Sequence, residues 1–428
     1  MLVVHLEQPS ARTLFVVRHV LERMLGLAVH YAHGAAEFRS ANGPRLSYGK
    51  ERFEGAFNIP FSGMIDELPE QDPEVIVDGD TRRMFLVNGE ADLFAGVFYL
   101  LSLTDEIRCT VRDAHGRVPS AALFTVRNGL ADRPWIDEQV IKLGIALENE
   151  WPGELHCALR YSNCVTVDMD NILRYAGRPF SRALGASVKD LLHGEWSAVP
   201  ERWRVRSGNI PDPFERAIEV VAAQRETFRR AILFYLLRGE GEFDHAADPS
   251  HPATQAHIRR CAEAFDVGIH PSYGSSVKGT LQEEERAILQ QTINKDVRLS
   301  RQHFLRWQLP GTLRYLGDAG YVEDHTLGFT DRAGFRVGTC RPFPWYDLER
   351  EQETRLMLHP FAVMDSALIE QQRMDPHAVV KAMNAMSDKV RAVSGQFISV
   401  WHDRYLSGHR EFAPWPDVFE QVMQHARP

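Results

Sequence analysis

Residues 163–171 read NCVTVDMDN, from Asn163 to Asn171, and the rest of the chain is read outward from them. The stretch opens apolar and β-branched, as a buried strand does, and then sets Asp168 and Asp170 two residues apart. Side chains at i and i+2 of a strand point to the same face. Two carboxylates at one end of a buried strand repel each other and lose hydration. A cation, an arginine or a proton must compensate them.

From Cys157 onward, short apolar runs alternate with amphipathic helical patterns. After NCVTVDMD the runs are AILFYLL (231–237), VGIH (267–270), VRLSRQ (297–302), YVEDHTLGF (321–329), RLMLHPFAV (355–363) and QFISVWH (396–402). Seven strand candidates alternating with helices predict a parallel sheet, either open and doubly wound or closed into a barrel. A barrel would gather the C-terminal strand ends on one rim, where such folds carry their chemistry. Those ends are polar: Asp168 and Asp170, then His270, then Arg301 and His303, then His402. Imidazole nitrogen and carboxylate oxygen together suit a divalent metal with open positions.

The first 155 residues have a different texture. A helical pattern covers Thr13–Tyr31, short strand-like pieces follow, and DLFAGVFYLLSLTDE (92–106) predicts a core helix, with a last helix over 136–149. This part reads as a smaller α+β domain (1–155) preceding a barrel domain (156–428). It is expected to dock on the barrel and shape one wall of a substrate cleft, the alternative being an independent module that recruits a partner. His30 and His33, at the end of that helical pattern, are read as residues of an amphipathic face rather than as metal ligands. A net charge of −9 and the lack of any basic run exclude a general nucleic-acid or anionic-membrane binder. The longest apolar run, Leu93–Leu103, is shorter than the ~20 residues that span a bilayer. The N-terminus lacks the features of a secretory signal, and five scattered cysteines without a CxxC pair read as reduced thiols, so a cytoplasmic address is expected. GxSxG, GxxxxGK[ST] and GxGxxG signatures are all missing.

Taken in order, TVDMDN, GIHPSYGS, SRQHFLRW, HPFAVMD and VWHD resemble a bacterial branch of the polysaccharide deacetylase (NodB-like carbohydrate esterase) superfamily. The resemblance implies a distorted seven-stranded (β/α) barrel, and LFAGVFYLLSLTDE with DAHGRV resembles the extra N-terminal domain of that branch. It implies a metal-dependent hydrolase that removes acetyl groups from an N- or O-acetylated sugar or polysaccharide. Residue by residue, Asp168 matches the general base, Asp170 a metal ligand, His270 a second ligand and Arg301 the arginine that pairs with the base. His402 matches the general acid, and Asp365 stands as its acidic partner. The superfamily's second motif has another histidine four residues after the first, but Gly274 stands there; His303 is the candidate for the missing ligand, with Ser275 or water as substitutes. The implied metal is zinc, with cobalt, nickel, manganese or iron as alternatives. Two other readings stand beside this one: a hydrolase of another non-peptide amide, and a non-catalytic carbohydrate binder with a degenerate site. Tyr273, Trp307, Trp345, Tyr346 and Trp401 are candidates for stacking on sugar rings or for packing.

Overall fold

The computed structural model of the chain describes residues 1–238, 241–276 and 279–428. Ser162–Met169, which contains the opening stretch, lies deep in a nine-stranded sheet, between Arg230–Tyr235 and Gln396–His402 and parallel to both. Beyond Arg230–Tyr235 the order continues through Asp266–Ile269, Leu299–Ser300, Glu323–Asp324 and Gln352–Leu358 to Phe343–Asp347, while Val363–Met364 ends the other side. All neighbours run parallel except the last hairpin, Phe343–Asp347 on Gln352–Leu358.

The strand count thus differs from the expected seven, for two reasons. The run 355–363 is two strands, not one, because Pro360 cannot donate to a ladder. The chain instead crosses from one end of the sheet to the other. On the way the N–H groups of His359, Phe361 and Ala362 bond to the carbonyls of Asp324 (2.9 Å), Leu327 (3.0 Å) and Ile398 (2.9 Å). This crossing segment, rather than a continuous ladder, closes the sheet on itself. The second reason is Phe343–Asp347, whose antiparallel pairing adds a strand that no alternating pattern announced. Inside the closed sheet Cys164, Ile232, Phe234, Phe361, Ile398 and Val400 form an apolar cluster. The guanidinium of Arg301 lies over the ring of Phe234 at 4.6 Å.

The N-terminal region carries its own parallel sheet, ordered Val29–Tyr31, Leu2–Leu6, Arg45–Tyr48 and Phe57–Ile59. The helix expected over 13–31 spans Ala11–Arg18, continues as a wider π-helical turn through His19–Met24, and stops. Gly26 (φ 70°) takes the left-handed turn that only glycine adopts freely, and Val29–Tyr31 enters the sheet. His30 meets Glu37 at 2.7 Å near the surface. The core helix expected over 92–106 divides into Leu93–Leu101 and Thr104–Arg108. Asp92 caps the first by accepting from the N–H of Ala95 (3.0 Å), and the Tyr48 hydroxyl (2.9 Å) satisfies its other oxygen. Phe98 packs edge-on against Tyr346 at 5.3 Å, and one continuous apolar core joins this helix to the large sheet. All five cysteines are free. Among the described residues no helix is long and apolar enough to cross a membrane.

Two histidines in this frame carry a prediction about acid. His19 is buried with no partner at either ring nitrogen. Burial first, then Arg23 and Arg341, lower its pKa to about 3. Burial and Arg260 lower that of His257 to about 4. A folded pKa below the unfolded value of about 6.5 gives stability that is fully present above pH 6.5 and lost as pH falls towards the folded values. Stability should therefore fall between pH 6.5 and pH 4 by about 1 kcal/mol per pH unit for each ring. His19→Phe should flatten that slope in urea unfolding at pH 7 and pH 4.5. An unaltered slope would remove His19 from the account.

Candidate metal centre and catalytic cavity

The C-terminal strand ends surround a cavity of about 540 Å³ lined by Asp168, Asp170, His270, His303, His402 and Arg404, among others. The strand Ser162–Met169 brings the first two there, since the alternation that buries Val165 and Val167 in one layer sends Thr166, Asp168 and Asp170 the other way. Arg301, completely buried, donates from Nη1 to Asp168 Oδ1 (2.8 Å), from Nη2 to Thr166 Oγ1 (2.8 Å) and from Nε to the His325 carbonyl (2.9 Å). The carboxylate and the guanidinium answer each other's charge out of water, and Thr166 and the His325 carbonyl accept two further bonds from Arg301, while Asp168 Oδ2 faces His270 Nε2 at 3.8 Å.

Asp170 is compensated differently. Its Oδ1 is buried without a hydrogen-bond partner. Facing that oxygen are His270 Nε2 at 3.4 Å and His303 Nε2 at 3.9 Å. Each ring is fixed from behind. His270 Nδ1 lies 2.5 Å from the Arg301 carbonyl, which can only accept, so Nδ1 carries the proton and Nε2 a lone pair. His303 Nδ1 lies 2.8 Å from Asp244 Oδ1, which imposes the same tautomer. Two imidazole lone pairs and one orphaned carboxylate oxygen thus converge, all within 4.8 Å of one another. This donor set fits a divalent cation, with outer partners of the kind that hold metal-ligating histidines. Burial opposes ionisation of Asp170, but His303, His402 and His270 when protonated, together with Arg404, outweigh it and hold its carboxyl well below the usual range. Burial lowers the pKa of His270.

His402 ends its strand with Nδ1 2.6 Å from Asp365 Oδ1, while its own N–H donates to Asp365 Oδ2 (2.7 Å). Asp365 is fully buried, so the ring is locked with Nε2 towards the cavity, 3.9 Å from Asp170 Oδ2. Burial works against the charged ring, yet Asp365 and then Asp170 prevail, and the His402 pKa is pushed up to about 9.

The structure therefore brings all seven residues singled out in the sequence into one neighbourhood: Asp168, Asp170, His270, Arg301, His303, Asp365 and His402. Ser275 is directed elsewhere, its hydroxyl donating to the Ser272 carbonyl (2.6 Å). A Cβ at Gly274 would meet only Leu281 Cδ1, at 3.5 Å, so space does not forbid a side chain there. The turn that presents His303 is strained instead, with Phe304 (φ 59°) and Leu305 (φ 52°) both left-handed. Of the five aromatic candidates, Trp307, Trp345, Tyr346 and Trp401 are core residues. Tyr273 packs with Phe243 and Phe304 beside the cavity.

Two contributions escaped the sequence reading. Asp244, which orients His303, sits in the loop beyond Arg230–Tyr235, and an aspartate following a strand was its only signal. Arg404 reaches Glu370 (2.7 Å) and lies 4.0 Å from Asp170. The wall expected from the N-terminal region is built by Asp113, His115 and Arg117, which line the cavity. Arg117 donates to the Phe304 carbonyl (2.8 Å), and Arg306 donates to that of His115 (2.8 Å). A second group of potential ligands, Glu323, His325 and His359, lies elsewhere. There Arg230 donates to Glu323 Oε2 at 2.7 Å, so the charge a cation would neutralise is already met.

Comparison with known proteins gives three findings. A family described only as one of unknown function, DUF7033, matches residues 2–152. No curated protein matches the chain. Among solved structures, similarity extends to a Mycobacterium smegmatis protein classed as a polysaccharide deacetylase (13% identity, TM-score 0.38, covering 64% of this chain and 86% of that one). It also extends to an allantoinase (11%, TM-score 0.37, 65% and 87%). A polysaccharide deacetylase from Bacillus cereus matches as well (11%, TM-score 0.29, 62% and 87%). At such identities the roles of side chains have to be argued from this chain's own geometry.

Proposed function

We propose that the chain is a metal-dependent hydrolase that removes acetyl groups from an N- or O-acetylated sugar or polysaccharide. The observation that carries this reading is the convergence of two imidazole lone pairs on the unpartnered Asp170 oxygen, with the Asp168–Arg301 and His402–Asp365 pairs facing the same cavity. Asp170, His270 and His303 would hold a divalent ion, zinc in the first place. When bound, the ion supplies Lewis acidity that polarises an acyl carbonyl.

The remaining steps belong to the chain's own groups. Asp168 is the base: Arg301 occupies its Oδ1, leaving Oδ2 to take the proton of an attacking water. His402 is the acid: Asp365 holds Nδ1, so Nε2 delivers a proton to the departing amine or alcohol oxygen. Asp244 and the Arg301 carbonyl keep His303 and His270 in the ligating tautomer. We divide the chain near residue 155, with the catalytic groups in 156–428 and the first part closing one side of the cleft through Asp113, His115 and Arg117.

Elemental analysis of protein purified without chelator, paired with acetate release from N-acetylated oligosaccharides, tests the reading. His270→Ala and His303→Ala should lower metal content and abolish release while the fold persists. Asp244→Asn should weaken metal affinity roughly 10–100-fold, as loss of an outer partner does. Full metal content in His303→Ala would remove that residue from the site.

A further inference from the structure

A second cavity, of about 260 Å³, is lined by Arg174, Arg178, Arg182, Arg202, Asn171 and His245, among others. Asn171 follows Asp170 and His245 follows Asp244, so the loop that carries one candidate ligand and the loop that orients His303 both line this cavity. Four guanidinium groups share a small space here, and their charges are incompletely answered. Arg202 pairs with Asp190, and Arg174 with the largely exposed Glu411 at 3.2 Å. Among the described residues, neither Arg178 nor Arg182 has a carboxylate within ion-pairing distance. Arg178 instead donates to the carbonyls of Leu173 (3.2 Å) and His245. The other nearby carboxylates are turned to the loop backbone. Asp212 accepts from the N–H groups of Arg174 (2.8 Å) and Tyr175 (2.8 Å), and Asp403 from those of Asn171 (2.8 Å) and Ile172 (2.7 Å). Burial, then Arg182 and Arg178, lower the pKa of His245, in keeping with a positive field.

Guanidinium groups that lack carboxylates present paired N–H donors matched to the oxygens of an acid group. We infer that this cavity is an anion subsite, and that the substrate carries a carboxylate, sulfate or phosphate beside the acyl group it loses. The inference rests on the deacetylase reading for its second half only, because anion binding can be measured without turnover.

The test uses the full chain stripped of metal, so that an anion cannot be held by the metal centre. Calorimetric titrations with inorganic phosphate, sulfate and glucuronate are run against chloride at matched ionic strength. At least one should bind, and the tightest of the three names the acid. Arg182→Gln and Arg174→Gln, both at accessible positions, should each weaken it roughly tenfold, the loss expected for one charge-assisted contact. The double variant should leave no measurable binding, with its unfolding transition intact. Absence of oxyanion binding over chloride, or binding unchanged in the double variant, overturns the subsite. Oxyanion binding that is lost in the double variant, in a protein that releases no acetate from any acidic glycan, upholds the subsite and counts against the deacetylase reading instead.

Discussion

Asp168→Asn should keep its metal and lose most of its hydrolytic rate. The carboxyl is buried, and Arg301 Nη1 grips Oδ1 at 2.8 Å. In the variant the amide oxygen takes that contact and the NH₂ group falls where Oδ2 was, 3.8 Å from His270 Nε2. Shape and packing are preserved, but a donor now stands where the proposed reaction needs a proton acceptor. A lost general base costs roughly 10²–10⁴-fold in rate. The metal should stay, because Asp170, His270 and His303 are untouched. Turnover measured by acetate release, with metal content determined on the same sample, separates the two effects. A variant with full metal and full rate would show that the water's proton goes elsewhere. One with neither would place Asp168 among the ligands.

The same residue shows why part of this site could be read from sequence. Strands such as Ser162–Met169 and Gln396–His402 are largely apolar runs with a polar residue, Asp168 or His402, at or next to the C-terminal end, so run and terminus are both visible. Leu299–Ser300 and Glu323–Asp324 pair over two residues each, too short for any period, yet they carry Arg301 and His325 just beyond their ends. Asp244 was hidden because it is brought to His303 by the path of a loop, and a loop's path is set by tertiary packing, not by local pattern. A wall from the N-terminal region was expected, but which side chains build it was hidden in the same way: His115 and Arg117 meet Phe304 and Arg306 across nearly two hundred residues of chain. The aromatic candidates failed for the opposite reason. Trp345, Tyr346 and Trp401 have the residue type of sugar platforms, but lie on strands whose two faces are both covered. Residue type names a capacity, and burial decides whether it is available.

Glu106→Ala should destabilise the whole chain by about 3–5 kcal/mol, the range for leaving one partner of a buried ion pair uncompensated. Glu106 and Arg336 are both almost fully buried where the N-terminal helices meet the large sheet. The guanidinium donates to Glu106 Oε1 (2.6 Å) and Oε2 (3.0 Å), and Trp307 Nε1 adds a third donor to Oε1 (3.1 Å). Arg336 also donates to the Gly328 carbonyl (3.0 Å), and its own carbonyl accepts from Thr125 Oγ1 (2.8 Å). Truncating the glutamate strands a guanidinium and an indole N–H away from water. Replacing both charged residues at once, as Glu106→Leu with Arg336→Met, should recover most of the loss, because no buried charge is then left unpaired. Urea unfolding followed by tryptophan fluorescence compares the single and double variants. If Glu106→Ala unfolds at the same midpoint as the parent, this network does not hold the two regions together. If it unfolds in two separate steps, the N-terminal region is stable apart from the sheet, and the wall built by His115 and Arg117 is free to leave the cleft.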